Sequence, residues 1–421
     1  MLGKDYFENR LKDIYHLSII DYLCGNGILI DTNGSEFQIS WELCVDLSGK
    51  LLIVLTGTSI IEVDDETGFI EYSLEGETLN KEYLINCARV FIYSASHSVE
   101  NGTSSNTYFC DIQGDGEIQI YKQGFSESQI IQMDAYLTNF LFRGLEKEQV
   151  NTTLSRNKFS CKADNLDVCF RLLDNHKEIK DLIEQNRIQE SIFSTLQIKK
   201  NALNTIEEIN DEIEKITYFL SFLTLNTNFS PIQKYFDVNG NLIKTVIKSM
   251  YVKKYQNSTL LNNSMDLNFS EVFNTSYSKY KALRKDLNLD SVINMLFEMQ
   301  SISTIEIKLA ILIMAYEALL TKYLINNGFA EEVVIKEYNI QQKIQMANKT
   351  LKFIPSHLSG DNLRAEIRNP LFHQGEIPFM NFEDIYKYYT EYFDLIIRII
   401  FRIIEYNGKF ISRNSHASID V

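Results

Sequence analysis

The chain is short of basic residues. Its 41 Lys and Arg stand against 56 Asp and Glu, a formal net charge of -15, and non-specific affinity for nucleic acid scales with the phosphates that Lys and Arg neutralise. A protein that coats nucleic acid through bulk electrostatics is thereby excluded, and any contact of that kind has to be local. The six cysteines (Cys24, Cys44, Cys87, Cys110, Cys161, Cys169) are scattered, with no Cys-x2-Cys pair and no histidine placed to complete a zinc site. They read as reduced, mostly buried thiols, as in a cytoplasmic protein. The N-terminal stretch MLGKDYFENRLKDIYHL lacks the apolar core of a signal peptide. Of two apolar stretches, Leu309–Leu320 is too short to cross a membrane and 391–404 is interrupted by Arg398 and Arg402. The expectation is a soluble protein with no membrane partner. There is no HExxH pair and no serine in a nucleophile elbow, and the glycines, read as turn punctuation, form neither a P-loop nor a Rossmann fingerprint. No metal and no cofactor is expected.

With 421 residues, 45% of them hydrophobic, there is room for two or three domains with ample core. Residues 1–125 read as a β-rich domain. Phe37, Ile39, Trp41, Leu43, Val45 and Leu47 alternate with polar or small residues, the period-2 pattern of a half-buried strand. Further runs follow (KLLIVLTG, SIIEV, FIEYSL, LINCARVFIYSA, TYFCDI, EIQIYK), separated by turn sequences such as Asp31-Thr32-Asn33-Gly34, Ser48-Gly49, Glu66-Thr67-Gly68 and Gln113-Gly114-Asp115-Gly116. An antiparallel sandwich or barrel is expected. Residues 126–285 read as a helical middle region. Ile206, Ile209, Ile213, Ile216, Leu220 and Leu223 recur at three- and four-residue steps, the stripe of one amphipathic helix. Asn239-Gly240 marks a β-hairpin near 231–256, whose second half carries Lys244, Lys248, Lys253 and Lys254, a solvated strand face or a surface for RNA or a partner. Residues 286–412 read as an all-α domain and 413–421 as a disordered tail, so the fold class is α+β multidomain.

Proline is scarce, four residues in all, yet Pro355, Pro370 and Pro378 crowd into the last quarter of the chain. Pro370 sits inside Arg368-Asn369-Pro370-Leu371-Phe372-His373, which puts an always-charged guanidinium five residues before an imidazole. Arg grips a phosphodiester by planar paired hydrogen bonds, and His takes and returns a proton near neutrality. Five residues of unbroken helix separate two side chains by about 140°. A helix break at Pro370 is expected, bringing both to one cleft. The bland alternative is that Arg368 pairs with Glu366 or Glu376 and His373 is a satisfied, half-buried imidazole.

Around this string lie IEIKLAILIMAYEALLTKYLIN (305–326) with Glu317 at its centre, a helical segment over 331–351, a third helix leading into RNPLFHQGE, and FEDIYKYYTEYFDLIIRIIFRIIEY (382–406) ending in Asn407-Gly408. This order, with an Arg-polar-x3-His string at the third helix, resembles the HEPN superfamily and its ApeA-like branch over roughly residues 290–412. The resemblance implies a four-helix bundle in which Arg368 and His373 are the catalytic pair, Asn369 is the polar residue supporting them, and Glu317, within Ala315-Tyr316-Glu317-Ala318-Leu319, is the acidic position of the first helix. It further implies metal-independent endoribonuclease activity on RNA (possibly tRNA) through the substrate's 2′-OH, a homodimer, and a prokaryotic antiphage, abortive-infection effector awakened by a phage-derived trigger. A non-catalytic HEPN module that dimerises or binds RNA or a partner, and a regulatory protein whose β domain does the recognition, stay open as alternatives.

Overall fold

The computed structural model describes residues 2–15, 19–58, 71–100, 103–112, 116–144, 146–150, 153–164, 166–186, 188–199, 205–248, 255, 259–261, 269–358, 363–378 and 380–421. The chain divides into two compact units, one of Met1–Ser160, Leu166–Thr217 and Thr227–Tyr255, the other of Cys161–Asn165, Tyr218–Asn226 and Gln256–Val421.

The first unit opens with α1 (Lys4–Tyr15) and continues through β1 (Ile19–Asp31), β2 (Glu36–Asp46), β3 (Leu51–Gly57), β4 (Glu71–Thr78), β5 (Tyr83–Glu100), β6 (Thr103–Ile112) and β7 (Glu117–Lys122). It goes on with β8 (Gln132–Thr138), β9 (Glu146–Val150), β10 (Thr153–Ala163), β11 (Leu166–Leu172), α2 (His176–Glu184), β12 (Ile192–Lys199), α3 (Ile206–Thr224), β13 (Ile232–Phe236) and β14 (Leu242–Lys248), the last residues of β10 (from Cys161) and of α3 (from Tyr218) belonging to the second unit. The strands form one sheet in the order β4-β1-β2-β3-β6-β5-β7-β14-β13-β8-β12-β11-β10-β9, and a further pairing of β4 with β5 closes the first six into a ring. Alternation builds its core. Ile39, Trp41, Leu43 and Val45 point inward from β2 to meet Ile53 and Leu55 of β3 and Leu29, Leu74, Ile85 and Cys87. The expected hairpin is present, with Asn239-Gly240 between β13 and β14 and Gly240 at φ +78°, where a side chain would be strained.

Several expectations change. Residues 126–285 are not a helical region of their own: β8 to β12 lie in the sheet, because short alternating runs such as Leu166-Asp167-Val168-Cys169-Phe170-Arg171-Leu172 bury every second side chain. The helical stripe beginning at Ile206 does form α3, with all six of its apolar residues buried. Gly25, Gly27 and Gly76 lie inside strands rather than turns. The run SIIEV, Glu66-Thr67-Gly68, residues 113–115, and Lys253 and Lys254 fall outside the described residues.

The second unit contains α4 (Phe269–Leu283), α5 (Leu289–Ser301), α6 (Ile305–Asn326), α7 (Glu331–Lys336), α8 (Ile340–Leu351), α9 (Asn369–Gln374), α10 (Phe382–Ile403), β15 (Lys409–Ile411) and β16 (Ser418–Asp420). The helix α6 packs against α5, α8 and α10 and buries ten side chains, among them Leu309, Leu312, Ile313, Tyr316 and Leu320. It is long and apolar enough to cross a membrane by length and composition alone; here it packs as a core helix. The helical segment expected over 331–351 is interrupted, since Asn339 accepts from the Gln342 amide and caps a fresh start at Ile340. Residues 413–421 are not a disordered tail. The buried Asp394 carboxylate accepts from Ser412 Oγ at 2.5 Å, the Arg413 amide at 2.8 Å and the Asn414 amide at 3.2 Å, and β16 pairs with β15. None of the six cysteines is in a disulfide.

Candidate functional site

The site lies in the second unit where α6, α8 and α9 meet. Its central residue is Glu317, in the middle of the largely apolar helix α6. Glu317 Oε1 accepts from Lys343 Nζ at 3.2 Å and Oε2 from Arg368 Nη2 at 3.2 Å, so one carboxylate holds two cations brought in by different helices. Lys343 is 7% exposed and Arg368 32%. A lysine that buried needs its counter-ion, because an unpaired ammonium away from water is costly.

Arg368 is presented by an irregular helix. Leu363–Arg368 form a π-helical turn that runs straight into α9, with Arg368 itself in right-handed helical geometry (φ -62°, ψ -52°) and Pro370 in the first turn of α9. The helix therefore widens at Pro370 instead of breaking. A π turn shifts the hydrogen-bond register by one residue, which relieves the contact between the proline ring and the carbonyl four residues back. The helix ends at Gly375, φ +78°.

Because the helix continues, the expected convergence does not occur within one chain. Arg368 lies along Phe372, its guanidinium carbon 5.3 Å from the ring centroid, and points to Glu317. His373 is exposed one residue beyond Phe372, and Asn369 is half-buried. Neither side chain makes a hydrogen bond with another described residue, and Arg368 pairs with neither Glu366 nor Glu376 among the described residues. Arg368 Nε is buried without a hydrogen-bond partner. Of the four residues singled out in the sequence, the structure joins Glu317 and Arg368, and leaves His373 and Asn369 on the adjoining surface.

Lys343 is the participant that sequence reading missed. Its signal is its spacing: it falls between Ile340, Ile344 and Ala347, on the face α8 buries, where a lysine requires an acid. His357, by contrast, is on the 3-10 turn Ser356–Leu358, 3.3 Å from Glu391, and takes no part. Nearby, burial pushes the Tyr316 and Tyr392 hydroxyls well above the ordinary tyrosine range, so both stay protonated. Among the described residues no group of three or more His, Cys, Asp or Glu side chains is placed to hold a metal ion.

No protein-family model, curated protein or solved structure matches the chain. What the site can do is therefore argued from its geometry. A guanidinium fixed in position by an acid, and partly open to solvent, can neutralise charge on a phosphoryl group. An exposed imidazole on the next turn is free to exchange protons with a substrate.

Proposed function

We propose that the second unit is a HEPN-type bundle, with α6, α8, the helix through α9, and α10 as its four helices, and that the protein is a metal-independent endoribonuclease. The observation that carries this reading is the pairing of Glu317 with Arg368, which ties the acid of the first helix to the Arg-x4-His string at the third. In the reaction, His373 takes the proton from a ribose 2′-OH, the 2′-oxygen attacks phosphorus, and the P–O5′ bond breaks as the leaving oxygen takes a proton from solvent, which also receives the one held by His373. Arg368 balances the charge that builds on the phosphoryl oxygens, and Asn369 orients the imidazole or the phosphate. The need for a 2′-OH restricts the substrate to RNA. Since Arg368 and His373 diverge along one helix, two copies supply the cleft, the Arg368 of one beside the His373 of the other. The wider role that accompanies this reading is a cytoplasmic antiphage effector, quiet until a phage-derived trigger.

A second reading, a non-catalytic module that binds RNA or a partner, is favoured by a specific observation: Glu317, Lys343 and Arg368 form a network that structural stability alone would explain. Sequencing RNA ends in cells expressing the intact chain, His373→Ala and Arg368→Ala separates the two. New ends that vanish in both variants support the nuclease. Identical end profiles in all three, with RNA still co-purifying, support the binding module.

A further inference from the structure

The first unit holds a concavity that the nuclease reading leaves without a task. It has a volume of about 540 Å³, within the range of small-ligand sites, and it sits where the sheet forks. On one side β5 pairs with β4 from Leu84 as far as Phe91, while on the other its partner changes from β7, up to Cys87, to β6, from Val90. Ala88 and Arg89 fall at the transition and stay exposed. Arg89 takes a left-handed backbone (φ +62°) that non-glycine residues seldom adopt. Such outliers persist where the surroundings impose them, and they gather at binding sites.

Register fixes what the concavity displays. Asn86 lies opposite Gln119, and Tyr121 lies opposite Lys244, so these four side chains share one face of the β5-β7-β14 ribbon. The other face carries Ile85, Cys87, Ile118 and Ile120 into the core. The turn after β7 then folds Phe125 back beside Tyr121, ring centroids 6.2 Å apart. Lys244 Nζ lies 5.8 Å from the Phe125 centroid and 5.9 Å from that of Tyr235, and no carboxylate is within ion-pairing distance of it among the described residues. Arg89 stands at the margin, 3.8 Å from Glu71.

We propose that this concavity binds a nucleotide: the base against Tyr121 and Phe125, its polar edge on Asn86 and Gln119, and its phosphate on Lys244 and Arg89. Aromatic rings stack on any base, amides read base edges, and a lysine over aromatic rings retains its charge for an anion. Glu117 and Glu127 also line the space and would repel a highly charged polyphosphate, which favours a ligand with one phosphate per base. Two sources share that chemistry, a free mononucleotide and one unit of an RNA strand. The inference stands apart from the C-terminal reading, since no residue is shared.

The test uses the full-length chain carrying His373→Ala, with calorimetry against the four ribonucleoside 5′-monophosphates and against a fully 2′-O-methylated single-stranded hexanucleotide. Saturable binding of a monophosphate assigns a free nucleotide; binding of the hexamer alone assigns an RNA unit. In either case Phe125→Ala should weaken binding about five- to hundred-fold, and Lys244→Gln, a surface change that spares the fold, should weaken it and flatten its salt dependence. No binding of any probe, or binding that Phe125→Ala and Lys244→Gln both leave unchanged, overturns the proposal. Because the readout is affinity in a variant disabled for cleavage, neither result bears on the nuclease.

Discussion

The turn Asp-x-Asn/Ser-Gly occurs three times in the first unit, and each time the aspartate Oδ1 accepts from the amides two and four residues on: Asp31 from Asn33 and Ser35, Asp46 from Ser48 and Lys50, Asp237 from Asn239 and Asn241. The same geometry moves the acids in opposite directions. Hydrogen bonds led by that from Ser35 lower the pKa of Asp31, and those from Asn241 lower that of Asp237, both exposed; burial raises that of Asp46. For Asp46 the folded value lies above the unfolded one, so its favourable contribution is complete below the unfolded pKa of about 3.9 and is lost as pH rises through the folded value. Asp46→Asn keeps an Oδ1 acceptor without the charge. Its stability relative to the parent, measured by urea unfolding across pH 4–8, should therefore rise with pH; a gap independent of pH would contradict the assignment. At the second unit, Glu317→Ala strands a buried lysine and should cost about 3 kcal/mol. Adding Lys343→Met should recover most of that loss, and a double variant no more stable than the single would show that the pair is not what matters.

At the scale of elements, the strands β1 and β4 approach unusually closely through Gly25, Gly27 and Gly76. A Cβ on Gly25 would fall 2.5 Å from Trp41 Cζ2 and 1.9 Å from the Glu77 carbonyl oxygen. Trp41, the only tryptophan, fills that space and donates its indole N–H to the Asn26 carbonyl at 3.2 Å. Gly25→Ala should thus destabilise the first unit by about 1–3 kcal/mol with a shift in tryptophan fluorescence; an unchanged spectrum and midpoint would contradict this packing. The inward face of β2 was legible because its alternation runs the length of a strand, and α6 and α10 were legible because twenty-odd residues of apolar pattern admit little else. The strands β8, β11 and β12 were hidden by brevity: seven or eight residues of alternation resemble fragments of a helical stripe, and only their neighbours in the sheet decide. The Glu317–Arg368 contact joins residues 51 apart in sequence, so the sequence exposed both partners but not their meeting.

For the whole molecule, the second unit is assembled from three stretches of chain, and this limits how it can be cut. Its core includes Phe219, Phe273, Tyr277 and Tyr280, mutually packed at centroid distances of 4.7–6.4 Å, and Phe222 against Phe401 at 5.1 Å. A fragment of residues 286–421 lacks all of these partners but Phe401. It should give helical far-UV dichroism without the near-UV signal of fixed aromatics; a fragment with full near-UV ellipticity and cooperative unfolding would show that the remaining helices form a core without them.

The most direct test of the central claim is chemical. Purified full-length protein is incubated with total RNA in excess EDTA, across a concentration series, and the new termini are identified. A nuclease of the proposed kind should give 2′,3′-cyclic phosphate and 5′-hydroxyl ends, a rate per chain that rises with concentration as two copies assemble the cleft, and a loss of about 10²–10⁴-fold in His373→Ala. Cleavage at the parent rate by His373→Ala, or products with 5′-phosphate ends that form only with Mg²⁺, would contradict that claim.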